Sequence, residues 1–241
     1  MRAFEGRTAV ITGGGTGVGA AVALGLAAAG ASIHLIGRRL ETLQSVAARA
    51  RGLGSEATCY LGDLADNSGQ LEVGRRLVRD LRQVDILVQN AAMFAAGPIE
   101  GGSLAEFDTQ YLTNVRAPYV LTQVLLPMLK ARRGQVVFVN SSSGLVAKPM
   151  SAQYDSTKHA LKAIADSLRG EVNAHGIRVL SVYLGRTATD MQERIHRMQG
   201  RPYQPELLLQ PEDVASVILN ALSLPPTAEV TDIHIRPMTK T

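Results

Sequence analysis

The sequence predicts an α/β fold, a doubly wound sheet of about seven parallel strands with helices on both faces. Three observations predict it. Short β-branched runs alternate with longer stretches of helical periodicity. The short runs are apolar almost throughout, as strands covered on both faces must be. No linker, repeat or low-complexity tract divides the 241 residues, so one domain over 1–241 with one large core is expected.

The strand runs fall at 8–12, 32–36, 57–61, 85–89, 135–140, 178–183 and 231–235, with helical stretches at 17–29, 40–52, 67–82, 104–131, 152–174 and 211–223. Residues 19–36 are Ala/Gly-rich, but Gly30 and His34 interrupt them, and a helix followed by a strand explains them better than a membrane span. Cys59 lies in an apolar run and reads as a small core residue. Pro118 falls inside the 104–131 stretch and predicts a kink there. In 152–174, Tyr154, Leu161, Ile164, Ala165, Leu168 and Val172 recur at helical spacing. Segment 186–210 is polar, rich in Arg, Gln and Pro, and reads as a long irregular loop of functional use.

Composition narrows the function. A hydrophobic fraction of 46% argues against disorder, and a net charge of +4 from scattered basic residues argues against nucleic-acid binding. With Cys59 the sole cysteine, no intrachain disulfide can form, and a reducing, cytoplasmic setting fits. The first seven residues hold no apolar leader core. The five histidines are dispersed, so no metal site is expected.

Thr12-Gly13-Gly14-Gly15-Thr16-Gly17-Val18-Gly19 follows the first strand and opens the first helix. Glycines at that junction allow a tight turn and let the backbone approach a pyrophosphate at a helix N-terminus, the arrangement of a Rossmann-type dinucleotide site. The spacing is G-x-x-x-G-x-G over Gly13, Gly17 and Gly19. In an NAD site a carboxylate about twenty residues further on binds the ribose hydroxyl. Here the second strand ends in Ile36-Gly37-Arg38-Arg39, with no acid before Glu41. Guanidinium groups match a 2′-phosphate, so NADP(H) is expected in preference to NAD(H), with Arg38, beside Gly37, the better candidate and Arg39 the second.

Tyr154 and Lys158 share one helix face at i, i+4, and Ser141 precedes Tyr154 by thirteen residues. A free tyrosine holds its proton to a pKa of about 10. A nearby cation favours the phenolate and should lower that value toward the working range. Ser141 could donate to the oxygen that Tyr154 protonates, which points to carbonyl/alcohol chemistry. Asn114 enters through the backbone: its carbonyl would accept from residue 118, and proline has no N–H.

These residues resemble the short-chain dehydrogenase/reductase family, in its compact single-domain branch, from Gly6 to about Pro237. Thr12–Gly19 resembles the family's T-G-x-x-x-G-x-G loop, Asp63-Leu64 its adenine-contacting pair, and Asn90-Ala91-Ala92 its N-A-G turn, with Ala92 for the glycine. Asn114, Ser141, Tyr154 and Lys158 fall where the family's catalytic tetrad stands; among Ser141, Ser142 and Ser143, only Ser141 keeps the family's distances to Gly144 and Tyr154. The resemblance implies that Tyr154 is general acid/base, that Lys158 lowers its pKa and holds the nicotinamide ribose, that Ser141 polarises the carbonyl, and that the Asn114 carbonyl holds a relay water. It also implies that Gly185, Thr187 and Thr189 contact the cofactor, although Leu184 replaces a proline before Gly185. Helices 104–131 and 152–174 resemble the family's dimer and tetramer interfaces, while the terminal glycines common in the family are absent after 232–237.

Met93, Phe94, Leu145, Val146, Met150 and Leu184 flank this site and imply a mainly apolar substrate pocket. Arg194, Arg197 and Arg201 have the spacing of one helix face, but Gly200 and Pro202 interrupt any helix there, which favours a solvated face of a mobile lid over an anion site. The reaction expected is hydride transfer between NADP(H) and a carbonyl or secondary alcohol. A nucleotide-sugar isomerase or dehydratase with bound NAD and a non-enzymatic NADP(H)-binding regulator are the alternatives.

Overall fold

A computed structural model describes residues 2–239. Seven strands form one sheet in the order β3-β2-β1-β4-β5-β6-β7: β1 (Thr8–Thr12), β2 (Ser32–Gly37), β3 (Ala57–Leu61), β4 (Ile86–Gln89), β5 (Gln135–Ser141), β6 (Arg178–Leu184) and β7 (Asp232–Ile235). Every pairing is parallel, as βα alternation requires. Boundaries move by a residue, and β5 and β6 each run one further than expected, carrying Ser141 and Leu184 into register with each other.

Side chains alternate across the sheet, and two core layers result. Ala9, Ile11, Val137 and Val139 face one layer, which α1 (Gly17–Ala28), α2 (Leu40–Gly52) and α8 (Pro211–Leu222) cover through residues such as Leu26, Val46 and Ile218. Val10, Val136 and Phe138 face the other, covered by α3 (Asn67–Asp80), α5 (Ala117–Arg132) and α6 (Ala152–Val172) through Leu77, Leu125 and Leu161. Each such fully buried side chain contributes about 1.5–3 kcal/mol of transfer free energy. No helix among the described residues is long and apolar enough to cross a membrane.

The stretch expected as one kinked helix over 104–131 is two: α4 (Leu104–Tyr111) and α5, joined by a π-helical turn over Leu112–Arg116. Pro118 has no N–H for the carbonyl of residue 114, and the ladder widens to i→i+5 bonds just before it. The 186–210 segment is also not irregular. It leaves and rejoins the body at one point, where Thr187 bridges Leu209 and Ala188 N–H donates to the Leu209 carbonyl at 2.8 Å. Between those ends lies a helix, α7 (Asp190–Met198), capped by Thr189 Oγ1, which accepts from Gln192 N–H. It stops in a Schellman motif: Gly200 takes φ +62°, its N–H donates to Arg197 O, and Arg201 N–H donates to His196 O.

Strand order reverses beside β1, whose neighbours are β2 and β4. In open α/β sheets the crevice beyond the carboxyl ends of such strands is where ligands bind.

Candidate active site

The crevice above β1 and β4 is a cleft of about 1180 Å³. Its floor is the glycine loop. Gly13 has φ +63°, and a Cβ on Gly19 would fall 2.3 Å from the Gly13 carbonyl oxygen, so only glycine lets the α1 N-terminus tuck under the turn. Gly19 therefore lies beneath the loop, while Gly13, Gly15, Thr16, Gly17 and Val18 line the cleft. Two side chains fix the loop's shape. Thr12 Oγ1 accepts from the N–H groups of Asn90 (2.8 Å) and Ala91 (2.9 Å), and Asn90 Nδ2 donates to the carbonyls of Thr12 (3.0 Å) and Gly13 (3.2 Å). The sequence singled out Asn90 and Ala91 as cofactor contacts; the structure shows them as the brace between β4 and the loop. Thr12 was not foreseen as its other half.

At one end of the cleft stand Arg38 and Arg39, both exposed, with Asp63 and Leu64 across from β2 at the end of β3. Asp63 Oδ1 accepts from Ala65 N–H at 2.9 Å, and Leu64 is a core residue at 4% exposure. Arg39 reaches α7, where Asp190 Oδ2 lies 3.5 Å from its guanidinium. Gly185, Thr187 and Thr189 line the roof beside the glycine loop, and the Thr189 methyl lies 3.0 Å from where a Gly17 Cβ would be.

At the other end the structure brings Ser141, Tyr154 and Lys158 together on the cleft wall. Ser141 ends β5 and sits at the N-cap of a 3-10 turn over Ser142–Gly144, accepting from Ser143 N–H at 3.2 Å. Gly144 explains its own spacing from Ser141: a Cβ there would sit 2.8 Å from both the Lys158 carbonyl and Asn140 Oδ1, so the turn presses directly on α6. Lys158 is 2% exposed, and its Nζ donates to the Val139 carbonyl at 3.3 Å and lies 5.7 Å from the Tyr154 ring centre. Phe94 packs edge-on to Tyr154 at 5.0 Å between ring centres.

Asn114 is fully buried and does not line the cleft. Its Oδ1 accepts from Met93 N–H (2.8 Å), and its Nδ2 donates to Met93 O (2.9 Å) and Thr157 Oγ1 (3.0 Å). Thr157 Oγ1 in turn donates to the Tyr154 carbonyl at 2.7 Å. The side chain thus ties the segment after β4 to the turn of α6 that carries Tyr154, a role the backbone argument from Pro118 did not contain.

A model of the short chain dehydrogenase family matches residues 7–200. The chain belongs to the short-chain dehydrogenase family. Among its relatives, the Gluconobacter oxydans gluconate 5-dehydrogenase is 31% identical over 80% of this chain and 75% of its own. The Bos taurus dehydrogenase/reductase SDR family member 7B is 34% identical over 92% of this chain and 72% of its own. A metagenomic short-chain oxidoreductase solved in complex with NADP superimposes with a TM-score of 0.84, at 25% identity, covering 99% of this chain and all of that one (100%). This short-chain dehydrogenase is accordingly an oxidoreductase of the Rossmann-type fold.

In the short-chain dehydrogenase site, one electrostatic expectation is reversed. Lys158 was expected to lower the Tyr154 pKa, but burial dominates and pushes Tyr154 up to about 12, reinforced by the neighbouring Asp155 carboxylate and opposed by a hydrogen bond with Ser141. Burial also pushes Lys158 down to about 8. Both groups are displaced toward their neutral forms.

The substrate side is part apolar and part cationic. Met93, Phe94, Met150 and Leu184 line the cleft as expected; Leu145 and Val146 do not. Met150 adopts φ +69°, an uncommon conformation for a side-chain-bearing residue, and the segment holding it is pinned by Asp155, whose Oδ2 accepts from Lys148 N–H (2.7 Å) and Ser151 Oγ (2.6 Å). The three arginines of the roof do not share one face. Arg194 and Arg201 line the cleft, whereas Arg197 does not and pairs with Glu193 at 3.2 Å.

Proposed function

We propose that this chain is an NADP(H)-dependent carbonyl reductase or alcohol dehydrogenase, in which Tyr154 exchanges a proton with the substrate oxygen. The observation that carries this reading is the burial of Tyr154 and Lys158 side by side, at 9% and 2% exposure, on the wall of a cleft whose floor is a glycine loop. The cleft fits a dinucleotide: Gly13 and Gly19 of its floor have no room for a Cβ, and Arg38 stands exposed at its far end where a 2′-phosphate would need a cation.

Bound NADPH supplies the hydride. The chain's own residues manage the oxygen. A phenol with its pKa near 12 keeps its proton at neutral pH and is in the donor state that carbonyl reduction needs. As the carbonyl carbon gains hydride, the Tyr154 proton passes to the developing alkoxide, and Ser141 donates to the same oxygen. Lys158, with its pKa near 8, is mostly cationic at neutral pH and offsets the phenolate left behind. Asn114 holds Met93 and the Tyr154 turn in register, and its main-chain carbonyl, which Pro118 cannot engage, is the anchor for a relay water toward Lys158. Gly185, Thr187 and Thr189 hold the nicotinamide end; Asp63 and Leu64 flank the adenine; Arg38 and Arg39 select NADP(H) over NAD(H). From the family resemblance we also carry forward a homodimer or homotetramer, from the undivided sequence a single catalytic domain, and from the lone Cys59 a cytoplasmic location.

A panel of ketones, aldehydes and their alcohols assayed by NADPH absorbance tests the reading. Turnover of at least one, with loss of it in Tyr154→Phe and nucleotide affinity kept, is expected. Undiminished turnover in that variant, or tight NADPH binding with no turnover of any compound, overturns it.

A further inference from the structure

Helix α7 is divided by charge. Met191, Arg194, Ile195 and Met198, at positions i, i+3, i+4 and i+7, line the cleft. Glu193 and Arg197 are not among the lining residues, and they neutralise one another at 3.2 Å. The cleft side carries no such compensation: among the described residues, neither the Arg194 nor the Arg201 guanidinium has an ion pair or a hydrogen bond, and both are exposed. The Schellman turn at Gly200 is what carries the chain past the helix end so that Arg201 also borders the cavity. Lys148 borders the same cavity from the segment before α6, with its main chain fixed by Asp155. The two acids that line the cleft lie elsewhere or are engaged: Asp63 follows β3, and Asp190 faces Arg39 at 3.5 Å. The cleft that Tyr154 lines thus has apolar side chains, Phe94, Met150 and Met198 among them, and apart from those two acids its charged side chains are cationic.

Exposed guanidinium groups that no acid neutralises, gathered on a concave and partly apolar wall, draw anions to it, and Arg pairs match carboxylate and phosphate oxygens bidentately. We propose that the substrate carries an anionic group, a carboxylate or a phosphate, separated from its carbonyl by an apolar segment. Arg194 and Arg201, with Lys148, hold that group while Tyr154 serves the carbonyl. This deepens the reading of the site as a carbonyl reductase and rests on it.

Equilibrium binding separates the two claims. The protein saturated with NADP+, which cannot reduce a ketone, is titrated calorimetrically with 5-oxohexanoate and its methyl ester, and with dihydroxyacetone phosphate and dihydroxyacetone. At least one anion is expected to bind on the order of tenfold more tightly than its neutral partner, and which one does distinguishes carboxylate from phosphate. The double variant Arg194→Gln/Arg201→Gln is expected to erase that ratio while leaving the neutral compounds within about twofold, and Arg197→Gln is expected to keep it. Equal affinities for both members of both pairs, or a ratio that survives the double variant, overturns the proposal. Absence of turnover with NADPH, with the anion preference intact, would defeat the reductase reading and leave the anion site standing.

Discussion

At the N-terminal end of the sheet the buried carboxylate of Asp85, 1% exposed, accepts from Arg7 (2.9 Å), Arg132 (3.0 Å) and Thr8 N–H (2.9 Å), so its charge is met from two elements and the main chain. At the opposite end Tyr154 and Lys158 are also buried, yet among the described residues the one hydrogen-bond acceptor Lys158 finds is a carbonyl at 3.3 Å, and Asp155 Oδ1 has no partner. The same fold treats buried charge as a fastening at one end and leaves it under-compensated at the other. Compensated charge holds structure; uncompensated charge shifts pKa values and waits for a partner.

The comparison breaks if the two ends respond alike to mutation. Tyr154→Phe has the largest expected effect, a fall in kcat of about 1000-fold with the melting temperature unchanged, read by steady-state kinetics and calorimetry. A substantially lower melting temperature would mean that this end also fastens the fold. Next is Lys158, whose pKa is lowered from 10.5 to about 8. Between those values the unfolded chain holds a proton that the folded protein has released, so stability rises with pH across the window and the cost of the buried cation is felt below it. In protein without added nucleotide, Lys158→Met is therefore expected to be more stable than wild type at pH 7, by up to about 3 kcal/mol, and to lose that advantage as pH rises toward 10. A pH-independent difference in melting temperature would show that burial of charge is not its cause. Tyr154 acts oppositely above pH 10, where only the folded protein keeps the phenolic proton and stability falls as pH climbs toward 12.

Asp85→Ala should give the converse of Tyr154→Phe: a loss of about 2–3 kcal/mol, roughly 5–10 °C in melting temperature, with kcat kept at temperatures where the variant is folded. Arg38→Gln should raise KM for NADPH on the order of tenfold and leave KM for NADH within about twofold; an equal change in both would remove the 2′-phosphate from the account. The smallest effect is a gain. Gly170, exposed in α6 with open space where its Cβ would be, should stabilise the protein by about 0.5–1 kcal/mol as Gly170→Ala, measured by denaturant midpoint.

Features that depend on local chemistry were legible in the sequence. All seven strands were found, six because each is a short, mostly apolar run and β7 because its polar and apolar residues alternate. The turn at Gly13–Gly19 and the meeting of Ser141, Tyr154 and Lys158 on one wall were found because fixed spacings carry them. Helix α7 was missed because its nine residues are mostly polar and surrounded by Gly and Pro, so no long periodicity announces it. The brace of Thr12 with Asn90 spans 78 residues and the Asn114–Thr157 contact spans 43, and no local pattern encodes either.

The sequence by itself determined the fold class, the glycine turn and the candidates for the reacting groups, because backbone φ, helical spacing and side-chain chemistry are properties of a few adjacent residues. Only the tertiary structure decided the protonation tendencies of Tyr154 and Lys158, the side-chain role of Asn114, and which arginines of the roof face the cleft. Each of those depends on burial, and burial is set by elements that meet only when the whole chain has folded.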